Sequence, residues 1–142
     1  MGGIILRAMM ANRPSFDVAR AVMLAPPNTG SELVDRFGRW VPFRVWNGPA
    51  GQQLGTRPDG YLAQLGPISF ECGIIAGIRN RNPLGNSILG PISDGAVAVN
   101  RTRCEGITDF TTIYTGHTFI MNKKPVIQQV IEFLNFGRFT SS

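Results

Sequence analysis

Three short runs of apolar and β-branched residues, each bounded by turn-forming residues, constrain the fold of this chain more than any other feature. Residues 18–25 (VARAVMLA) end at Pro26, and residues 70–78 (FECGIIAGI) end at a polar turn. A near-continuous apolar run of this length is typical of a strand that is buried on both faces of a parallel sheet. Residues 110–114 (FTTIY) are rich in β-branched and aromatic side chains, which favours a third strand.

Helical patterns precede, separate and follow these runs. Residues 1–12 carry a broad apolar face, and Ser31 is placed to cap a helix that begins at Glu32. Near the end of the chain, Asn122 is placed to cap a helix that Gly137 terminates. One face of that last helix is predicted to consist of apolar residues: Val126, Ile127, Val130, Ile131 and Leu134.

The resulting order of elements is helix, strand, helix, strand, strand, helix. Because parallel strands are joined by right-handed crossovers, this order predicts an α/β fold with a mostly parallel sheet and helices on both faces. The chain has 142 residues, of which 43% are hydrophobic and 16% are charged. These values are typical of one folded domain with a single hydrophobic core.

Residues 36–68 allow two interpretations. Residues 48–61 contain the turn signals GPAG and RPDG, which predict a loop. Aromatic residues recur at every third position before it, and they permit a helical stripe that packs into the core. Alternatively, the segment is a cap or insertion that covers an active site. The aromatic residues are Phe37, Trp40, Phe43 and Trp46.

Charge and cysteine content exclude several classes of protein. A net charge of +5 suggests nucleic-acid binding, but the basic residues are scattered and their longest run is Lys123-Lys124, so we expect no nucleic-acid partner. Cys72 and Cys104 allow one disulfide at most and form no metal-binding pair. We expect them to be small buried hydrophobic residues, and we expect neither a metal nor a cofactor. No apolar run approaches the roughly 18 residues that a transmembrane helix needs.

Two polar residues follow predicted strands where functional groups of parallel sheets gather. Asp94 follows the strand at 70–78, and His117 follows the strand at 110–114. A carboxylate can hold an imidazole in one tautomer and stabilise the imidazolium that forms during proton transfer. On their own these residues are weak indicators, because an Asp-Gly pair is usually a turn and a lone histidine is structural about as often as functional.

A wider pattern strengthens this interpretation. Residues 21–35 (AVMLAPPNTGSELVD), 93–99 (SDGAVAV) and 113–121 (IYTGHTFIM) resemble, in order, the C-terminal half of the α/β-hydrolase family, above all its esterase- and lipase-like members. The resemblance implies that the three strands are the last three of that fold. It also implies that Asp94 is the acid and His117 the base of a catalytic triad.

The nucleophile of that family is absent from the sequence. Its serine lies in a G-x-S-x-G turn, and no such motif occurs here. Ser87 is followed two positions later by the bulky Leu89, and Ser31 is better explained as a helix cap. The opening Met1-Gly2-Gly3 resembles the residues that follow the serine, so we expect the chain to begin just after the nucleophile elbow. Met1 then takes the position whose backbone N–H contributes to the oxyanion hole.

These expectations describe residues 1–142 as one incomplete α/β-hydrolase-like domain, with a cap or insertion at 36–68. We expect the family's substrates to be small-molecule esters or lipids, and we expect the chain alone to be inactive because it lacks the serine. The strand at 18–25 would leave an unpaired edge, which favours a homo-oligomer or a partner chain that covers it. Two alternatives stay open: a non-catalytic interaction module and one half of a split enzyme. The sequence does not determine localisation, for which cytoplasmic is the default.

Overall fold

The described residues of the chain form a three-stranded parallel sheet with helices on both faces. The structure is a computed structural model, and it describes residues 1–12, 17–38, 45, 48, 54–56, 60–80, 89–90 and 92–140. The helices within these ranges are α1 (Gly2–Asn12), α2 (Glu32–Phe37), α3 (Val99–Thr102) and α4 (Lys124–Phe136), and the strands are β1 (Arg20–Leu24), β2 (Glu71–Gly77) and β3 (Asp109–Ile113). Short 3-10 turns cover Ala63–Leu65 and Ile120–Asn122. This confirms the predicted α/β class, although α3 was not predicted.

The strands follow one another in space as they do along the chain. Both pairs in the order β1-β2-β3 are parallel, with Ala21 opposite Cys72 and Ile74 opposite Phe110. In β2 every residue after Glu71 is buried, as expected for a strand covered on both faces. The same expectation for residues 18–25 is wrong in the described part of the chain. Only Met23 of β1 is buried there, because β1 is an edge strand.

Alternate residues of the sheet face two separate apolar clusters. One cluster joins Ile75 of β2 to Val126 and Phe133 of α4. The other joins Met23, Cys72 and Ile74, and Leu6 of α1 packs against it. The two-residue period of a strand thus places α4 on one face of the sheet and α1 on the other.

Helix α1 is held in place by a buried arginine. The side chain of Arg7 is 6% exposed, and its Nη1 donates to the carbonyl oxygen of Asn28 at 3.0 Å. Its Nη2 donates to the carbonyl oxygen of Gly66 at 2.8 Å. These bonds tie the helix to the segments after β1 and before β2, and so they fix the position of its first residues.

Helix α4 ends at the predicted residue, but its N-cap and its buried face differ from the prediction. Gly137 ends the helix with a φ of +72°, which glycine adopts without strain. The N-cap is Lys123 rather than Asn122, because Pro125 sets the first turn and Asn122 belongs to the preceding 3-10 turn.

The predicted apolar face of α4 is divided between the core and solvent. Val126 and Phe133 are buried, and Val130 packs against the same cluster. The neighbouring stripe is 44–55% exposed and consists of Ile127, Ile131 and Leu134. A helix turns about 100° per residue, so the two sets lie on adjacent faces and only one of them contacts the sheet.

Both cysteines are free thiols, and Cys72 is fully buried as predicted, whereas Cys104 is partly buried. Burial, with a smaller contribution from Cys104, raises the pKa of the Cys72 thiol from 9.0 to about 12.

In the part of the chain that the structure describes, no helix has the length and apolar character that a membrane crossing requires. Of the residues at 36–68, Trp40, Phe43 and Trp46 lie outside the described residues.

Candidate active site

Asp94 and His117 are brought together at the carboxyl edge of the sheet. Nδ1 of the His117 ring lies 2.6 Å from Oδ2 of Asp94. The backbone N–H of His117 also donates to the carbonyl oxygen of Asp94 at 3.0 Å. The segment after β3 is therefore joined to the Asp94 turn by one main-chain bond and one side-chain bond.

The carboxylate of Asp94 is buried and held on both oxygens. The residue is 4% exposed, and its Oδ1 accepts the backbone N–H groups of Ala96 at 2.9 Å and Val97 at 2.8 Å. Gly95 has a φ of +94°, which allows the chain to turn back toward the carboxylate. With Oδ1 occupied by these donors, Oδ2 is the oxygen that faces the imidazole.

The imidazole of His117 has a buried side and an exposed side. Its side chain is 40% exposed, whereas that of Asp94 is 1% exposed. An ionised carboxylate only accepts hydrogen bonds, so a neutral His117 in this pair carries its proton on Nδ1. Nε2 then has a free lone pair, and no described residue donates to it. Such a nitrogen can take a proton from a nucleophile and later return it to a leaving group.

Glycine at the end of β2 is required for this arrangement. A Cβ atom on Gly77 would lie 2.5 Å from the carbonyl oxygen of Thr115 and 2.8 Å from Cβ of Asp94. Real Cβ atoms essentially never approach other atoms this closely. Gly77 was not predicted as a site residue, although a glycine near the end of an apolar strand is a known signal of close backbone approach.

A second supporting contact was also missed. Nδ2 of Asn80 donates to Oγ of Ser93 at 2.8 Å, and Ser93 is fully buried directly before Asp94. Only the position of Asn80 in the polar turn after β2 was apparent from the sequence.

The hydroxyl groups of Ser31 and Ser93 do not contact His117. Oγ of Ser31 is directed to the carbonyl oxygen of Ala96 at 3.4 Å and makes no cap to its own helix, although Ser31 occupies the N-cap position. Oγ of Ser93 is bonded to Asn80. Ser87 lies outside the described residues.

Met1 stands at the start of α1, where its carbonyl oxygen accepts the backbone N–H of Ile4 at 2.9 Å. The first turn of α1 packs closely on β1, since a Cβ atom on Gly3 would lie 2.8 Å from Sδ of Met23. Met23 is the penultimate residue of β1. The beginning of α1 therefore lies toward the carboxyl edge of the sheet, the edge at which Asp94 and His117 meet.

Among the described residues, no group of three His, Cys, Asp or Glu side chains is placed to hold a metal ion. The geometry of the Asp94–His117 pair is suited to proton transfer.

Comparison with known proteins gives a structural relationship but no sequence relationship. No protein-family model matches the sequence, and no curated protein sequence matches it. The structure is similar to the crystal structure of the mature form of lipase BlEst2 from Bacillus licheniformis, with a TM-score of 0.67 and 18% identity over 96% of this chain and 62% of the lipase chain.

The propeptide form of that lipase gives a TM-score of 0.63 and 17% identity, over 95% of this chain and 33% of the other. The chain thus spans less than two thirds of the mature lipase. The three parallel strands and their flanking helices thus have the fold of part of that lipase.

Proposed function

We propose that this chain supplies the acid and the base of the catalytic triad of an esterase- or lipase-like serine hydrolase. The observation that carries the proposal is the 2.6 Å contact between the buried carboxylate of Asp94 and Nδ1 of His117. Asp94 holds the imidazole in the Nδ1–H tautomer. His117 then takes the proton of a serine hydroxyl at Nε2 and passes it to the leaving alcohol.

The nucleophilic serine comes from polypeptide outside this sequence. No G-x-S-x-G motif occurs in the 142 residues, and the hydroxyl groups of Ser31 and Ser93 are directed to other groups. We place Met1 directly after the missing serine, where its backbone N–H faces the oxyanion of the tetrahedral intermediate. The close packing of Gly3 on Met23 supports this placement, because a nucleophile elbow needs small residues beside the strand.

The substrate class follows from the fold and from the surroundings of His117. Large apolar side chains are exposed in the segments that carry the pair: Ile92 at 62%, Tyr114 at 73% and Phe119 at 64%. Such side chains favour the acyl or alkyl groups of a small-molecule ester or a lipid. We propose that residues 1–142 form a single domain with a cap or insertion at 36–68.

A reagent that reacts only with activated serines tests the proposal. The chain alone is expected to remain unlabelled by a fluorophosphonate and to hydrolyse no p-nitrophenyl ester, because the pair has no nucleophile to activate. In-frame translation of the DNA upstream of Met1 is expected to give a serine in a G-x-S sequence. The protein extended to include it should be labelled, and His117→Ala should abolish that labelling. Labelling of a serine within residues 1–142 would contradict the proposal.

A second function, assembly with another polypeptide, is favoured by one specific surface. Within the described residues β1 has no partner on its outer side, and α4 packs on β1. Arg20 of β1 donates to the carbonyl oxygens of Leu134 at 3.1 Å and Asn135 at 2.8 Å, so the end of α4 lies beside this edge. The unpaired N–H and C=O groups of this edge are a template for association. The exposed apolar stripe of α4 (Ile127, Ile131 and Leu134) is a second surface that a partner could cover.

We propose that a homo-oligomer or a partner chain covers this edge. In the split-enzyme alternative, that partner chain would carry the serine in place of an in-frame upstream segment. Light scattering at high concentration is expected to show association, and Ile131→Glu should shift the protein to monomer. Glu132→Gln, in the same turn but on a different face, is the control. A monomer at all concentrations would contradict the proposal that this chain self-associates. It would not bear on the proposal that Asp94 and His117 form an acid–base pair.

A further inference from the structure

The amide side chain of Asn80 spans the turn that carries Asp94. Its Nδ2 donates to Oγ of Ser93 at 2.8 Å, on one side of Asp94. Its Oδ1 lies on the other side, 3.4 Å from the position that a Cβ atom would take on Gly95. Asn80 follows the end of β2 by three residues, so its side chain connects the carboxyl end of the central strand to the turn.

The bonds within the turn do not provide this connection. The N–H groups of Ala96 and Val97 hold Oδ1 of Asp94, but they belong to the same turn and move with it. Orientation of the carboxylate toward His117 also requires that the whole turn be fixed relative to the sheet. A hydrogen bond from a strand end to a buried serine fulfils that requirement.

Because the acceptor Ser93 is buried, water cannot compensate for loss of the Asn80–Ser93 hydrogen bond. Ser93 is fully buried, so its hydroxyl loses a partner that water cannot replace if the Asn80 amide is removed. The turn would then have to shift toward solvent or leave a buried polar group unsatisfied. Either change alters the direction of the adjacent Asp94 carboxylate.

We infer that Asn80 is a positioning residue for the acid–base pair: through Ser93 it holds Asp94 in the orientation that fixes the tautomer of His117. The inference rests on the proposed function, since it assigns Asn80 to the support of that pair. Asn80 acts through Ser93 and Asp94, and it takes no part in proton transfer.

The imidazole itself supplies the readout, because His117 is the only histidine in the chain. Nitrogen-15 NMR of histidine-labelled protein reports the tautomer of one ring, and exchange with solvent reports the protection of its Nδ1 proton. In the wild type we expect the Nδ1–H tautomer. In Asn80→Ala we expect exchange of the Nδ1 proton to be about fivefold faster, as loss of one typical hydrogen bond implies, together with a visible Nε2–H population.

Ser93→Ala removes the same bond from the other side and is expected to give the same spectrum. The double variant should change the spectrum no further than Asn80→Ala does, because the Asn80–Ser93 bond is already lost in that single variant. Asn100→Ala, the same substitution at an exposed residue of α3, is the matched control and should resemble the wild type. If Asn80→Ala does not fold, Ser93→Ala alone decides the outcome.

The possible failures are distinguishable. If Asp94→Asn changes the His117 spectrum but Asn80→Ala and Ser93→Ala do not, the pair exists and Asn80 does not position it. If Asp94→Asn also leaves the spectrum unchanged, the pair is absent and the proposed function fails with it. Thermal unfolding of each variant shows whether a changed spectrum reflects a folded protein.

Discussion

Gly77 and Asp94 are in direct contact at the carboxyl end of β2, where a methyl group on Gly77 would lie 2.8 Å from Cβ of Asp94. The same methyl group would lie 2.5 Å from the carbonyl oxygen of Thr115, in the segment that leads to His117. Asp94 and the segment that leads to His117 therefore share one supporting residue, and the space that brings them together exists because that residue lacks a side chain.

Gly77→Ala is expected to destabilise the protein by about 1–3 kcal/mol, because the added methyl overpacks a site bounded by backbone. It should also lengthen the Asp94–His117 contact, visible as a change in the His117 NMR signal. The matched control is Gly2→Ala, since a Cβ atom there meets nothing within 4 Å. If both variants unfold at the same denaturant concentration, the close packing at Gly77 is refuted.

Two phenylalanines of α4 should differ sharply in their effect on stability. Phe133 is fully buried against Phe139, with ring centroids 5.0 Å apart, whereas Phe136 is 62% exposed. Phe133→Ala is expected to cost about 3–5 kcal/mol of unfolding free energy, because it leaves a cavity between helix and sheet. Phe136→Ala should cost less than about 0.5 kcal/mol. Urea unfolding of both variants checks this, and equal losses would mean that α4 presents a different face to the sheet.

The buried thiol of Cys72 should make stability depend on pH in the alkaline range. Its pKa is raised from 9.0 to about 12 in the folded protein, mainly by burial. The unfolded state therefore loses this proton first, so the stabilisation is complete below pH 9 and is lost progressively as the pH rises toward 12.

The expected slope from this one group is at most about 1.4 kcal/mol per pH unit. Urea unfolding at pH 8, 9 and 10 should show a steeper decline for the wild type than for Cys72→Ala, which lacks the thiol. Parallel declines in the two proteins would show that Cys72 does not ionise with the raised pKa.

The elements of this fold could be predicted from sequence because their signals are local. The apolar runs gave all three strands to within two residues at each end, and Gly137 marked the end of α4. Asp94 and His117 could be paired because parallel strands end at one edge of a sheet and the surrounding segments resemble a known family.

The side-chain contacts were beyond prediction because their partners are distant in sequence. Ser31 lies at a helix N-cap, yet its hydroxyl contacts the carbonyl of Ala96, 65 residues away. The stripe at Ile127 and Ile131 has helical spacing, but nothing in the sequence states which of two adjacent apolar faces meets the sheet. Asn80 supports the Asp94 turn across 13 residues, at a position that sequence alone marks only as a polar turn.

The measurement that tests the acid–base pair most directly is the tautomer of the single histidine in wild type and in Asp94→Asn. In the wild type the proton of the neutral ring should reside on Nδ1, hydrogen-bonded to Oδ2 of Asp94. In the variant, the amide can donate to Nδ1, so the proton should move to Nε2, the nitrogen that accepts the serine proton in the proposed mechanism. An identical tautomer and identical proton exchange in the two proteins would contradict the assignment of Asp94 and His117 as a catalytic pair.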